Sequence, residues 1–270
     1  MPNPENVAPA NVTNVAVLGA GTIGASWTAW FLSRGLRVAV YDPDPAREAY
    51  VQRMVANAWP TLTRLGMVAA ATPDHWSFTT DPAAAVRDAE FVQENCPERA
   101  EIKRALYATI EPALQREKIL ASSSSGLMMT GLQDGLATPE RFVIGHPFNP
   151  PHLIPLVEVV GGEKTSAATI AWCMAFYRHI GKEPIHLKKE AVGHLANRLQ
   201  AALWREAISA VASGLASVED VDRAVAYGPG LRWAIMGPNL TFHLAGGDGG
   251  LAHMLAQFRP SRSCGCVLSE

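Results

Sequence analysis

Short apolar runs and longer amphipathic stretches alternate along the first 188 residues of the chain. The apolar runs have the length of buried strands, and the stretches between them show the spacing of helices. Predicted strands cover 15–18, 37–41, 78–80, 90–94, 118–121, 142–145, 156–160 and 184–187, and predicted helices cover 43–59, 61–71, 81–86, 98–110 and 165–180. A further helix is predicted directly after residue 24. Such alternation is typical of a doubly wound, mostly parallel sheet.

The pattern of hydrophobic positions changes after residue 188, where helical periodicity continues and strand patterns stop. Leu195, Leu199 and Leu203 fall on one face of a long helix predicted over 191–213. Further helices are predicted over 217–226, 231–244 and 251–258, with a break at 228–230. We therefore expect an α/β domain of Rossmann type over 1–188, with a helical insertion near 47–76, and an all-α domain over 189–270.

Composition and charge exclude several classes of protein. The 270 residues are 48% hydrophobic and carry a formal net charge of −2, so no basic excess points to nucleic acid or to an anionic membrane surface. No apolar stretch is long enough to span a membrane, and the amino terminus lacks the pattern of a signal peptide. Cys264 and Cys266 lack the spacing of a zinc site, so no metal is expected. A reducing cytoplasm fits the few cysteines best.

A glycine-rich loop follows the first predicted strand, in the arrangement Gly19-x-Gly21-x-x-Gly24. Gly19 permits the sharp turn, Gly21 permits close approach of a pyrophosphate, and Gly24 permits close packing of helix on strand. The N–H groups of the first helical turn, at Thr22 and Ile23, would face the phosphates. This strand, loop and helix predict a dinucleotide site, the alternative being a glycine-rich loop of another α/β protein.

Asp42 ends the second predicted strand, 18 residues after Gly24, where an acceptor for a ribose 2′-hydroxyl is expected. A carboxylate there would repel the additional phosphate of NADP. The cofactor expected from the sequence is therefore NAD, although Arg47 lies nearby.

Three polar groups are expected where parallel strands end. They are the serine run 122–125, His146, and Glu158 within an otherwise apolar strand. A carboxylate in such a strand is costly unless it is paired, and His146 is its natural partner. A carboxylate on one imidazole nitrogen raises the basicity of the other, as a dehydrogenase needs for removing a hydroxyl proton. The alternatives are a core histidine bonded to backbone and a glutamate that reaches water.

These motifs, in this order, resemble the L-3-hydroxyacyl-CoA dehydrogenase family over residues 13–258. The resemblance rests on the glycine loop, Glu94-Asn95 followed by Lys103, the serine turn before Gly126, the segments 146–150 and 156–160, and Gly193-x-x-x-Asn197. It implies that His146 is the general base, Glu158 its orienting partner, and Ser125 and Asn197 the donors to the substrate oxygen. It also implies cofactor contacts from Glu94, Lys103 and Asn149. Gly126 stands where a serine is common in the family, so the register within the serine run stays open.

Residues 92–99 and 228–234 are most similar to the branch of this family that acts on free hydroxy acids, and to its carnitine-type members. The resemblance implies NAD-dependent oxidation of a small L-3-hydroxy acid such as L-carnitine to the 3-keto acid. Three arginines and no lysine in the helical insertion give few partners for the phosphates of coenzyme A. A 3-hydroxyacyl-CoA dehydrogenase, an L-gulonate 3-dehydrogenase and a recruited NAD-binding protein of crystallin type remain alternatives.

The helical domain carries the candidate substrate residues. Arg232 could bind a carboxylate in bidentate fashion, and Trp233 or Phe242 could face a quaternary ammonium group. The alternative for each aromatic ring is packing between helices. The resemblance implies a homodimer formed by this domain. Members of this branch have further helices after the position of residue 258, which the pattern of this chain does not predict, so the domain is expected to be shortened.

Overall fold

The computed structural model describes residues 8–257, and the candidate cysteine pair Cys264 and Cys266 lies outside this range. Two compact units divide between Arg198 and Leu199. The predicted boundary near residue 188 precedes this division, directly after the last strand. No helix in residues 8–257 combines the length and the apolar character needed to cross a membrane.

The first unit holds an eight-stranded sheet with helices on both faces. Its strands are β1 (Asn14–Leu18), β2 (Arg37–Tyr41), β3 (Trp76–Thr79), β4 (Phe91–Glu94), β5 (Ile119–Ser122), β6 (Phe142–Pro147), β7 (Leu156–Gly161) and β8 (Glu183–Leu187). Its helices are α1 (Thr22–Ser33), α2 (Arg47–Leu65), α3 (Pro82–Val86), α4 (Ala100–Ile110), α5 (Met129–Leu132) and α6 (Ala167–His179). Helix α7 (Ala196–Ala212) crosses the division between the units.

The sheet order is β3-β2-β1-β4-β5-β6-β7-β8, and every neighbouring pair is parallel except β6 and β7. The predicted doubly wound, mostly parallel sheet is therefore confirmed. Alternate residues of β1 enter different cores, since Val15 and Val17 pack with the α1 and α6 side chains Phe31 and Phe176. Ala16 packs on the opposite face, in a second apolar core. Both faces are thus buried, which explains the nearly continuous apolar runs.

One helix replaces the two helices predicted over 43–71. Helix α2 runs without a break through Pro60, because its buried side chains Val51, Val55, Ala58 and Leu62 form one continuous stripe. The stripe packs against the same core as α1 and outweighs the hydrogen bond that a proline removes.

The helix predicted to start at residue 191 starts instead at Ala196. Gly193 and His194 both have positive φ angles, of 75° and 49°, so this stretch is a turn. The first helical N–H groups bind a side chain elsewhere in the fold, as described below.

The second unit contains the remainder of α7, followed by α8 (Val218–Tyr227), α9 (Pro229–Trp233), α10 (Pro238–Ala245) and α11 (Gly250–Gln257). The helix predicted over 231–244 is wrong, because α9 and α10 are separate. Pro229 and Pro238 each occupy the first turn of a helix, where a missing N–H costs nothing. The predicted break at 228–230 is accordingly the start of α9.

Candidate active site

The glycine loop between β1 and α1 is shaped by two close backbone approaches. Gly19 has φ of 90°, and a Cβ there would lie 2.8 Å from the backbone of Asn95. A Cβ on Gly24 would lie 1.9 Å from the Gly19 carbonyl oxygen. A Cβ on Gly21, by contrast, would meet no atom within 4 Å, so the outer side of this residue is open for a phosphate.

A cavity of about 710 Å³ lies beside this loop and is lined by Gly19, Gly21 and Asp42 together with residues of α4. The Asp42 carboxylate accepts hydrogen bonds from the backbone N–H of Ala20, at 2.8 Å, and of Asp44, at 3.1 Å. Asp42 therefore stabilises the loop and also faces the cavity, where a ribose hydroxyl could reach it. Thr22 is exposed and Ile23 half-buried at the start of α1. These residues fit NAD, which when bound supplies the hydride acceptor for an alcohol oxidation.

Glu94 and Lys103 form a buried ion pair instead of lining this cavity. The Lys103 Nζ lies 2.7 Å from Glu94 Oε1, and both side chains are almost completely buried. Tyr107 and Ser122 donate hydroxyl hydrogen bonds to the other carboxylate oxygen of Glu94. Their hydrogen bonds are thus used inside the fold, where Lys103 also binds the Cys96 carbonyl oxygen at 3.0 Å. The pair supports the segment that Gly19 touches.

Glu98 is the residue that sequence reasoning missed. Its Oε1 accepts the Ser124 hydroxyl at 2.6 Å and the backbone N–H groups of Ser125, Gly126 and Leu127 at 3.0, 2.7 and 3.1 Å. Burial alone would raise the pKa of Glu98, but the Ser124 and Gly126 hydrogen bonds lower it overall. No local pattern marks this residue, because its partners lie 26 to 29 positions away along the chain.

In the serine turn after β5, three of the four hydroxyls donate hydrogen bonds within the fold and one does not. Hydroxyls of Ser122, Ser123 and Ser124 donate to Glu94, Asn95 and Glu98, in that order. The half-buried Ser125 has no hydrogen bond from its hydroxyl to any part of residues 8–257. Among the four, Ser125 is consequently the serine whose hydroxyl can serve a ligand.

His146 and Glu158 face each other across the antiparallel pair β6 and β7, as direct register partners. The His146 Nδ1 lies 2.8 Å from Glu158 Oε2. Glu158 was expected at the carboxyl end of a strand, but it lies near the amino end of β7. Because β7 runs antiparallel to β6, this end meets the carboxyl end of β6, and the two side chains lie at one edge of the sheet.

Glu158 is completely buried and its carboxylate accepts three hydrogen bonds. In addition to His146, the backbone N–H groups of Leu195 and Ala196 donate to Oε1 at 2.8 and 2.9 Å. Burial alone would raise the pKa of Glu158, but these hydrogen bonds lower it overall. An ionised carboxylate can only accept, so Nδ1 of His146 carries a proton, and in the neutral ring Nε2 presents its lone pair.

Asn197 follows the turn that binds Glu158 and is the second residue of α7. It is half-buried, and its side-chain amide makes no hydrogen bond within residues 8–257. Asn149 lies just after β6 and is exposed. Ser125, His146 and Asn197 therefore all belong to the first unit, and each offers a polar group that is not already used.

The three predicted substrate residues belong to the second unit. Arg232 and Trp233 lie on α9 and Phe242 on α10, and all three side chains are exposed. Among the described residues, no group of three or more His, Cys, Asp or Glu side chains is arranged to hold a metal ion.

Comparison with known proteins accounts for nearly the whole chain. Residues 14–191 match the 3-hydroxyacyl-CoA dehydrogenase NAD binding domain, and residues 193–269 match the C-terminal domain of the same family. The chain belongs to the 3-hydroxyacyl-CoA dehydrogenase family. The matched domain is an NAD binding domain, and this chain is an NAD-dependent oxidoreductase acting on a 3-hydroxy acid.

Within the 3-hydroxyacyl-CoA dehydrogenase family, similar curated relatives are named L-carnitine dehydrogenase. That of Streptomyces coelicolor is 54% identical, with 94% of this chain and 80% of the relative aligned. That of Bacillus cereus is 46% identical, over 95% of this chain and 78% of the relative.

Solved structures of similar dehydrogenases agree with the fold. FHMPC 5-dehydrogenase, an NAD+ dependent dismutase, superposes with a TM-score of 0.83 at 37% identity, over 92% of this chain and 80% of that one. The 3-hydroxybutyryl-CoA dehydrogenase of Escherichia coli gives a TM-score of 0.75 at 28% identity, over 87% and 50%.

Proposed function

We propose that this enzyme oxidises L-carnitine, or a closely similar free 3-hydroxy acid, to the 3-keto acid. The observation that carries the proposal is the His146–Glu158 pair, which holds an imidazole with its Nε2 lone pair available at the carboxyl end of β6. Because β1, β4, β5 and β6 are parallel, this end lies at the same edge of the sheet as the glycine loop. A hydroxyl proton must leave as hydride departs from the same carbon, and a fixed neutral imidazole suits that task.

In this proposal His146 accepts the hydroxyl proton at Nε2 and becomes an imidazolium. The buried carboxylate of Glu158 stabilises that charge and keeps the ring oriented. The unused hydroxyl of Ser125 and the amide of Asn197 donate to the substrate oxygen. The Glu98 carboxylate holds the backbone of the serine turn and so positions Ser125.

The substrate assignment draws on the names of the relatives and on charge. Arg47 and Arg53 of α2 lie near the Tyr50 ring, at 5.6 and 5.4 Å from its centroid, and α2 contains no lysine, so this helix offers few cationic partners for the phosphates of coenzyme A. Carnitine carries a carboxylate and a quaternary ammonium group. Arg232 and the rings of Trp233 and Phe242 are the sequence-derived candidates for these two groups.

The substrate is tested by following NAD reduction with L-carnitine, L-gulonate, 3-hydroxybutyrate and 3-hydroxybutyryl-CoA at matched enzyme concentration. We expect the highest kcat/KM with L-carnitine. A preference for the coenzyme A thioester or for L-gulonate would replace the substrate assignment. NADH binding without turnover of any hydroxy acid would favour a recruited binding protein.

The base is tested with His146→Gln, compared with His179→Gln at an exposed position at the end of α6. We expect kcat to fall by about 10²–10⁴ in the first variant, the usual contribution of a general base. The second variant should match the parent. If His146→Gln retained kcat/KM within about threefold, the base would lie elsewhere.

We also propose the homodimer and the cytoplasmic location expected from the sequence. Exposed apolar side chains of the second unit, such as Trp204, Ile208 and Ile235, support an interface between two subunits. Cys96 and Cys173 are both free thiols, as in a reducing compartment. Sedimentation velocity of the purified chain should show one species of twice the chain mass, and a monomer at all concentrations would refute the dimer.

A further inference from the structure

His194 is a buried histidine beside the candidate base that the proposed mechanism does not use. Only 3% of its surface is exposed, and its φ of 49° places it in the left-handed region. Its ring centroid lies 5.1 Å from that of His146. Its Nε2 lies 2.9 Å from the carbonyl oxygen of Ser124, the residue before Ser125. His194 thus lies against His146 on one side and binds the serine turn on the other.

The hydrogen bond to Ser124 determines which nitrogen of His194 carries a proton. A carbonyl oxygen can only accept, so Nε2 is the donor. The other nitrogen, Nδ1, is buried and has no hydrogen-bond partner within residues 8–257. A buried polar atom without a partner costs free energy, and beside a candidate active site it points to a ligand.

We propose that His194 is a substrate-binding residue, which donates from Nδ1 to the carboxylate of the 3-hydroxy acid. The inference rests on the proposed function, because it needs the substrate hydroxyl at Nε2 of His146. In a 3-hydroxy acid a single methylene separates the carbinol carbon from the carboxyl carbon. With the hydroxyl at His146, the carboxylate falls within a few ångströms, the separation of the two rings.

The charges around His194 allow this role. The ring must be protonated at Nδ1 to donate there, and a substrate carboxylate favours that state. The nearby carboxylates are already occupied, because Glu158 binds His146, Leu195 and Ala196, while Glu98 binds the serine turn. Among the described residues, the titratable ring in contact with His194 is that of His146. A carboxylate on His194 would offset the repulsion between two imidazolium rings during turnover.

Two conservative variants of His194 distinguish the role of its Nδ1 from that of its Nε2. In His194→Gln the terminal amide nitrogen stands near the place of Nε2, so the bond to Ser124 can persist while the donor at Nδ1 is lost. In His194→Asn the amide nitrogen stands near the place of Nδ1, and asparagine tolerates a positive φ well. Each variant is assayed with the free hydroxy acid and with its methyl ester, which keeps the hydroxyl and removes the negative charge. Arg232→Met serves as the comparison, since Arg232 is the sequence-derived carboxylate partner.

We expect wild-type enzyme to prefer the acid, and His194→Gln to lower kcat/KM for the acid about ten- to a hundredfold, chiefly through KM. The ester should change less than threefold, and His194→Asn should keep most of the preference for the acid. Equal losses on acid and ester would show a merely structural residue and overturn the inference alone. Loss of the preference in Arg232→Met but not in His194→Gln would overturn it too. A wild-type enzyme that oxidises neither compound would overturn the proposed function and this inference together.

Discussion

Replacing Glu158 with glutamine tests how the pair creates a base. The substitution keeps the size of the side chain and removes its charge. The amide oxygen of the new residue can still accept from the backbone N–H groups of Leu195 and Ala196. Its NH₂ group then faces Nδ1 of His146, where the carboxylate oxygen lies at 2.8 Å.

The consequence is a reversed tautomer of His146. An NH₂ group donates, so Nδ1 must become the acceptor, and the ring proton moves to Nε2. A protonated Nε2 cannot take the hydroxyl proton, and no carboxylate remains to stabilise an imidazolium. We expect kcat to fall by about 10²–10⁴, the full contribution of a general base. This corresponds to about 3–5 kcal/mol of activation free energy.

Steady-state NAD reduction measures this loss, and NADH fluorescence titration checks that cofactor binding is kept. Glu111→Gln is the matched control, since that carboxylate also accepts backbone N–H groups, from Ala137 and Thr138, but does not contact His146. We expect the control to retain kcat. An unchanged kcat in Glu158→Gln, or a loss of equal size in both variants, would refute the tautomer argument.

Three further outcomes follow from other parts of the fold. Gly21→Ala should leave the free energy of unfolding unchanged and weaken NADH binding. Gly24→Ala should lower the free energy of unfolding by about 1–3 kcal/mol, because its Cβ meets the Gly19 carbonyl, and should also weaken NADH binding. Asp42→Ala should lower the ratio of kcat/KM with NAD to kcat/KM with NADP about ten- to a hundredfold. Burial, with the nearby charge of Arg34, lowers the pKa of Lys182 to about 7 from 10.5, so the unfolded chain binds more protons within that window. Stability in urea should therefore rise with pH from about 7 to about 8.5, by at most about 1.4 kcal/mol per pH unit, and Lys182→Met should abolish the rise. At higher pH the buried thiols of Cys96 and Cys173, whose pKa values burial raises, act in the opposite direction.

Each of these outcomes has a result that contradicts it. Equal stability losses in Gly21→Ala and Gly24→Ala would mean that the loop geometry does not distinguish the two positions. An unchanged cofactor ratio in Asp42→Ala would place the ribose elsewhere. For Lys182, a pH dependence that persists in the methionine variant would assign it to another group.

The local sequence was sufficient wherever the physical cause is itself local. Buried strands need continuous apolar runs, and a tight turn beneath a pyrophosphate needs glycine at 19, 21 and 24, so the βαβ unit could be predicted. The pairing of His146 with Glu158 was also accessible, because an isolated carboxylate in an apolar strand demands a partner. Helix boundaries were less accessible. The path of α2 through Pro60 depends on a core stripe that only the packed sheet provides.

The tertiary structure decided which segments that are distant along the chain come into contact. Glu98 holds the serine turn, which leaves Ser125 as the serine with an unused hydroxyl, and no spacing within the run of four serines contains that choice. The turn at His194 brings an unpartnered nitrogen beside His146 because the next two N–H groups bind the carboxylate of Glu158. The sequence by itself determined a dinucleotide fold and the pairing of a carboxylate with an imidazole. Its tertiary structure decided which hydroxyl, nitrogen and carboxylate remain available, because hydrogen-bond partners are assigned only when the sheet has assembled.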